Sequence, residues 1–205
     1  MNEKFFDLKK EKQDRILNAV LKVFAKNGYR KASTDEMVKE AGISKGLLFH
    51  YFGTKSGLYE FVCRYAVKYI GMELSGMLSG DRTDFFLLKK QIEAVKYQIT
   101  RNFPYMPLFL QEMMRDTEGM DDALTAEVQE IQNSYRTLME ETLAPADFSS
   151  CAPYLNPTDL SCLTDYVIKG VMSENYSGDN EPSAEFAYER TISLLTMLSD
   201  LSRRE

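Results

Sequence analysis

The sequence has few of the residue types from which catalytic and metal sites are built. Its 205 residues include no tryptophan, one histidine and three cysteines. His50 has no acidic or cysteine neighbour at ligand spacing, so it predicts neither a metal site nor a catalytic triad. The cysteines, Cys63, Cys151 and Cys162, lack C-x-x-C spacing and are odd in number, which argues against a zinc ribbon and a disulfide framework. We therefore expect reduced, packed thiols, no metal and no cofactor.

Long hydrophobic runs and enzyme motifs are also missing. No window approaches the roughly 20 apolar residues of a membrane-spanning helix, and the acidic start of the chain lacks the apolar core of a signal peptide. There is no glycine-rich phosphate loop, no Ser-x-x-Lys motif and no evident pair of carboxylates in a pocket. We therefore expect a cytoplasmic protein without a membrane segment and without catalytic residues.

Charge is distributed unevenly along the chain. Residues 1–55 hold 12 Lys and Arg against 7 Asp and Glu, whereas residues 56–205 hold 13 against 24, within a total net charge of −6. A basic segment beside an acidic body is typical of a protein whose first part meets an anion. A solvated helix surface would give the same count, so the asymmetry only favours this interpretation.

Apolar residues recur at helical spacing, and no strand-like alternation is present, which predicts an all-α fold without a sheet. The first helix, over residues 9–27, ends at Gly28, and a capping box at Ser33 and Glu36 predicts the start of a second. Gly42 breaks this short helix, and Ser44 caps a third. Two short helices joined by a tight turn that contains glycine form a helix-turn-helix.

The third helix carries a distinctive outward face. Leu48 and Phe52, four residues apart, can dock it on the preceding helices. That arrangement leaves four side chains facing outward: Lys45, Leu47, His50 and Tyr51. A fourth helix follows Thr54 and Lys55 without a linker, so the two parts of the chain are mechanically joined.

The second half is predicted to be helical and to dimerise. Two last helices, about 158–174 and 183–203, have apolar stripes broad enough to need a partner, which a second copy could supply as a four-helix bundle. The predicted interface comprises Leu163, Val167, Val171, Ile192, Leu195 and Leu198. Methionine and aromatic content also fits an adaptable apolar pocket for an effector, although each residue alone is more often plain core. The candidates are Tyr97, Phe103, Met106, Phe109, Met113 and Tyr135.

The segment STDEMVKEAGISKG at residues 33–46, with LFHYF at 48–52 and the Thr54-Lys55 pair, resembles the TetR family of bacterial transcription regulators. The match spans about residues 10–60, and residues 61–205 resemble the family only in length and helical layout. The resemblance implies a three-helix helix-turn-helix DNA-binding domain at 1–55. It also implies a helical effector-binding and dimerisation domain at 56–205.

The resemblance further implies a homodimeric repressor that binds a palindromic duplex operator and is released by a small apolar or amphipathic molecule. The alternative is a DNA-binding architectural or partner-recruiting protein without such control. Carried over by position, Lys45, Leu47, His50 and Tyr51 meet bases or adjacent phosphates, and Thr34 and Lys55 contact phosphate. Ser44 and Gly46 complete the predicted DNA-binding set. Phe49 departs from the family, which commonly has Tyr there, so a hydroxyl that often reaches phosphate is missing.

Overall fold

The computed structural model describes residues 3–80, 82–115, 117–178 and 181–203, and within these ranges the fold is all-helical without a strand. The all-α prediction is therefore confirmed. The helices, in chain order, are α1 (Glu3–Phe6), α2 (Lys10–Lys31), α3 (Thr34–Ala41), α4 (Lys45–Phe52), α5 (Lys55–Met77), α6 (Phe85–Asn102), α7 (Met106–Met113), α8 (Asp122–Leu143), α9 (Pro157–Asn175) and α10 (Ala184–Ser202). No helix in the described part of the chain is long and apolar enough to cross a bilayer.

The chain forms two compact units. One comprises residues 1–71 with 102–137, and the other comprises residues 72–101 with 138–205. These are units of packing, whereas the predicted boundary between residues 55 and 56 divides the chain by role. The first unit contains all of α1 to α4, so the helix-turn-helix shares its core with part of the segment that follows it.

Aromatic rings form the centre of the first unit. Phe24 of α2 and Tyr59 of α5 meet edge to face with their centroids 4.8 Å apart, and Phe109 of α7 lies 5.9 Å from Tyr59. All three side chains are buried. Burial of rings of this size is a dominant favourable contribution to folding, so α7 is part of the structure that supports α2.

The second unit packs α9 against α10 and closes with a small apolar cluster. Phe85 stacks on Phe148 with centroids 4.4 Å apart, and Cys151 and Leu160 pack in the same cluster. Leu195 and Thr164 are fully buried. Lys89 is nearly buried and donates to Asp165 at 2.7 Å, which satisfies a cation that would otherwise be costly to desolvate.

Two local predictions differ from the structure. Gly28, with φ 68° and ψ 173°, interrupts α2 as predicted, but a further helical turn continues to Lys31. The predicted capping box is wrong, because Ser33 makes no side-chain cap bond in the described structure. The backbone of Ser33 does join the helix, since its carbonyl oxygen accepts from the Met37 N–H at 3.1 Å. The start of α3 therefore has N–H groups that receive no cap from Ser33.

Candidate nucleic-acid interface

The turn between α3 and α4 is set by glycine. Gly42 has φ 62° and ψ 42°, the left-handed conformation that ends a helix, and its N–H is directed at the last turn of α3. The Ile43 N–H donates to the Val38 carbonyl at 3.1 Å. Ser44 then begins α4, where its Oγ accepts from the Leu47 N–H at 3.2 Å. These bonds fix the entry of α4 within three residues of the end of α3.

The two faces of α4 are clearly different. Leu48 and Phe52 are buried, as the spacing predicted. Ser44, Lys45, Gly46 and His50 are exposed, and Leu47 and Tyr51 are half-buried. The outward face therefore presents one cation, one aliphatic side chain and two polar aromatic side chains. Such a face can donate hydrogen bonds to base edges and phosphates and can contact a thymine methyl.

Lys45 is held by the neighbouring helix. Its Nζ lies 2.9 Å from one carboxylate oxygen of Asp35 and 3.1 Å from the other. Both side chains are largely exposed, so water screens the pair and its contribution to stability is small, about 0–1 kcal/mol. The contact orients the lysine at the start of α4.

Lys55, at the start of α5, makes internal contacts. Its Nζ donates to the Arg30 carbonyl oxygen at 3.2 Å and lies 4.9 Å from the centroid of the Tyr29 ring. Partial burial lowers the pKa of Lys55 below its ordinary value. The amine therefore donates one hydrogen bond to a carbonyl in the last turn of α2. An ammonium group has three N–H donors, so the predicted phosphate contact does not require this bond to open.

Two glycines, Gly57 and Gly46, differ in whether the fold leaves room for a side chain. A Cβ at Gly57 would approach the Phe52 carbonyl oxygen to 2.5 Å, so the first turn of α5 packs directly on the last turn of α4. A Cβ at Gly46 would meet no other atom of the chain within 4 Å. Collision with another helix is therefore not the reason for glycine at position 46.

The structure also adds residues that periodicity did not identify. Phe5 of α1 is fully buried, and its ring contacts Tyr51, Phe52 and Phe61. Arg15 donates to the Ala41 carbonyl at 2.9 Å, so a side chain of α2 supplies a hydrogen-bond donor to the last carbonyl of α3. The only sequence signal for Phe5 is a pair of phenylalanines in an otherwise charged segment.

The predicted effector residues lie in different surroundings. Four of them belong to the first unit and are buried: Phe103, Met106, Phe109 and Met113. Tyr135 is half-buried. Tyr97 belongs to the second unit, where it stacks on Tyr188 at 4.8 Å and donates to Glu185 at 3.1 Å. Effector contact by these six residues stays a prediction.

The predicted dimer residues are also divided. Val171 and Leu195 are buried within one chain, and Leu163 is exposed, while Val167, Ile192 and Leu198 are half-buried. The most exposed large apolar side chains of α9 and α10 are Tyr166 and Leu201, at 68% and 72%. An interface on these helices stays a prediction, and the structure gives it an exposed apolar surface.

A family profile described as "Bacterial regulatory proteins, tetR family" matches residues 16–62, which comprise most of α2, the helix-turn-helix and the start of α5. Over residues 16–62 the chain is therefore similar to the TetR-family regulators. Among curated relatives, the HTH-type transcriptional regulator YerO of Bacillus subtilis is 37% identical over 90 residues, covering 41% of this chain and 30% of YerO. BetI of Yersinia pestis is 32% identical over 60 residues, 29% of this chain and 30% of BetI. The match thus spans less than a third of these relatives.

Solved structures extend the likeness from the helix-turn-helix to the fold of the rest of the chain. A TetR family transcriptional regulator from Chloroflexus aurantiacus superposes with a TM-score of 0.62 at 20% identity, covering 99% of this chain and 98% of that one. FadR of Bacillus subtilis, solved in complex with stearoyl-CoA, gives 0.51 at 16% identity, over 91% and 95% of the chains. At these identities the likeness shows the fold alone.

Proposed function

We propose that this protein is a ligand-responsive transcriptional regulator, a repressor that binds a palindromic operator as a dimer and is released by a small apolar or amphipathic effector. The observation that carries the proposal is the two-sided α4. Leu48 and Phe52 dock the helix, and Lys45, His50 and Tyr51 lie on the outward side. A short helix that presents such a face as the second helix of a helix-turn-helix is suited to the major groove.

The start of α3 supports a phosphate contact beside that helix. Ser33 gives no side-chain cap there, and Thr34 is the first residue of the helix. Free N–H groups at a helix N-terminus bind anions, with the helix dipole adding to the attraction. We assign Thr34 and the backbone at its helix start to a phosphate, which would fix the register in which Lys45 and Tyr51 meet bases.

Dimerisation and effector control are proposed from other features. An exposed apolar surface on α9 and α10 would be covered by a second copy, and two copies would place two reading helices on a palindrome. The effector class follows from the methionine and aromatic content of the second half of the sequence, since such side chains repack around apolar ligands. FadR of Bacillus subtilis, which has the same fold, was solved with stearoyl-CoA.

The test is selection of bound duplexes from a random library at low, fixed salt, using wild type, Lys45→Ala and Tyr51→Ala. Lys68→Ala, which removes an exposed cation outside the helix-turn-helix, controls for loss of charge alone. We expect wild type and Lys68→Ala to enrich one palindrome and the other two variants to bind it at least about ten-fold more weakly, since a good base contact contributes about 1–3 kcal/mol. Absence of any enriched sequence with wild type would contradict the proposal.

A second arm of the experiment addresses effector control. The selected duplex, bound to wild type, is titrated with apolar and amphipathic molecules of graded chain length. Release by one class at saturating concentration supports the ligand-responsive form. If no class weakens binding, the protein is better described as an architectural or partner-recruiting DNA-binding protein.

A further inference from the structure

The short helix α1 contributes the ring on which α4 rests. Phe5 has no solvent exposure although it lies at the start of the chain. Its ring centroid lies 6.0 Å from that of Tyr51, with the planes at 76°, and 5.2 Å from that of Phe52. Phe61 of α5 lies 5.4 Å away. One side chain thus touches the outward-reaching tyrosine of α4, the residue that docks α4, and the helix behind it.

Hydrogen bonds hold Phe5 in that position. The Gln13 side-chain amide of α2 donates to the Phe6 carbonyl at 3.0 Å and to the Leu8 carbonyl at 2.7 Å. The Leu8 N–H donates to the Phe5 carbonyl at 3.3 Å. Gln13 is itself buried, so the turn that carries Phe5 is fixed to α2.

The helix that Phe5 supports is short and has few buried side chains. α4 has eight residues, of which only Leu48 and Phe52 are buried. Helices of this length are marginal unless tertiary contacts hold them. Tyr51 is half-buried, and its T-shaped contact with the Phe5 ring restricts the directions in which the phenol can point. Edge-to-face contact of this kind adds to simple burial.

We infer that Phe5 is a positioning residue for DNA reading: it orients Tyr51 and fixes α4 within the helix-turn-helix, so that α1 is part of the DNA-binding domain. This inference rests on the proposed function. If Phe5 were an ordinary core residue, its truncation would lower overall stability and would weaken DNA binding only in proportion to that loss of stability. Positioning predicts a loss of DNA affinity and a local loosening of α4 that exceed the change in stability.

The experiment compares Phe5→Ala and Phe5→Leu with two controls in the full-length protein. Phe6→Ala truncates the half-exposed neighbour on the same turn, and Val20→Ala weakens the buried core at a position in α2. Melting temperature, amide hydrogen exchange over residues 45–52, and affinity for the selected operator are measured at a temperature where every variant is folded.

We expect Phe5→Ala to bind the operator at least about ten-fold more weakly and to exchange faster over residues 45–52. Phe5→Leu should restore most of both properties, because a branched aliphatic side chain refills the space. Val20→Ala and Phe6→Ala should change affinity less than about three-fold even where the melting temperature falls. The deciding quantity is the loss of operator affinity per degree of melting temperature lost. If this quantity is the same for Val20→Ala and Phe5→Ala, Phe5 is an ordinary core residue and the inference is overturned.

The two proposals fail in different ways. If wild type selects no duplex, the proposed function fails, while exchange over residues 45–52 still decides whether Phe5 holds α4. If wild type selects an operator and Phe5→Ala leaves both affinity and exchange unchanged, the proposed function stands and the positioning role is refuted.

Discussion

The ammonium group of Lys45 lies 2.9 Å from the carboxylate of Asp35, so the cation that begins α4 is bound to α3 in the free protein. A contact of Lys45 with guanine or phosphate would have to share the three N–H donors of the ammonium group with this carboxylate or displace it. Asp35 is also exposed in the first turn of α3, where its negative charge would face the same polyanion. We therefore expect the pair to weaken the attraction of this surface to DNA of any sequence.

Replacing Asp35 by asparagine should tighten binding and reduce selectivity. Asp35→Asn keeps the shape of the side chain but frees Lys45 and removes one repulsive charge. We expect affinity for unrelated duplexes to rise up to about five-fold at low salt, with a smaller rise for the selected operator, since an exposed pair contributes about 0–1 kcal/mol. Fluorescence anisotropy with both duplexes at several salt concentrations measures this ratio.

Glu36→Gln is the matched control, because it removes the same charge from the same turn without touching the Lys45 contact given by the structure. Both variants lose a similar favourable interaction with the α3 dipole. Equal effects of the two substitutions on selectivity would show that only long-range charge matters and that the Asp35–Lys45 contact does not.

Gly46→Ala tests how closely DNA approaches the start of α4. Alanine at this exposed helical position meets no other atom of the chain, and it should stabilise the fold by up to about 1 kcal/mol through helix propensity. We nevertheless expect operator affinity to fall at least ten-fold, because a methyl group would stand between the backbone and the duplex. Gly76→Ala makes the same change at an exposed position of α5, and should leave affinity as it is. Unchanged affinity of Gly46→Ala would place the duplex elsewhere.

Lys55→Met separates an internal role of the amine from phosphate binding. If Lys55 remains on the Arg30 carbonyl in the complex, its loss should lower the melting temperature and leave the salt dependence of operator binding unchanged. A residue that neutralises one phosphate contributes about 0.9 to the slope of log affinity against log salt. We expect a slope change well below that, from titrations between low and moderate salt. A decrease near 0.9 would mean that the amine neutralises a phosphate of the duplex.

Much of the helix-turn-helix could be predicted from sequence, because its signals are local. The break at Gly42, the cap at Ser44 and the i, i+4 pair Leu48 and Phe52 each act over a few residues. Phe5 could not be predicted, since a single turn has no periodicity and its partners lie 46 to 56 residues away in the chain. The Asp35–Lys45 pair likewise depends on the angle between two helices, which residue spacing does not give.

Periodicity also does not distinguish a stripe buried within one chain from a stripe buried between two. Val171 and Leu195 were predicted at a dimer interface, yet each is buried by its own chain. Leu163 of the same set is exposed. Both kinds of residue satisfy the helical spacing, and only the packing of α9 on α10 separates them.

That division makes dimerisation testable with two kinds of substitution. Leu195→Ala removes a fully buried side chain and should destabilise each chain by about 2–5 kcal/mol, through lost burial and the cavity left behind. Tyr166→Arg changes a side chain that is 68% exposed on α9, so it should leave the chain folded. If α9 and α10 form the interface, the arginine should convert a dimer to a monomer, because an unpaired charge would be buried there.

Tyr154→Arg places the same charge on an even more exposed tyrosine that precedes α9. Light scattering coupled to size exclusion, over a range of protein concentrations, gives the mass of each variant, and thermal unfolding confirms that it is folded. We expect the Tyr154 variant to keep the mass of wild type and the Tyr166 variant to have half of it, with weakened binding to a palindrome. A Tyr166 variant that remains dimeric at low micromolar concentration would exclude this face as the interface, since one buried arginine should cost several kcal/mol.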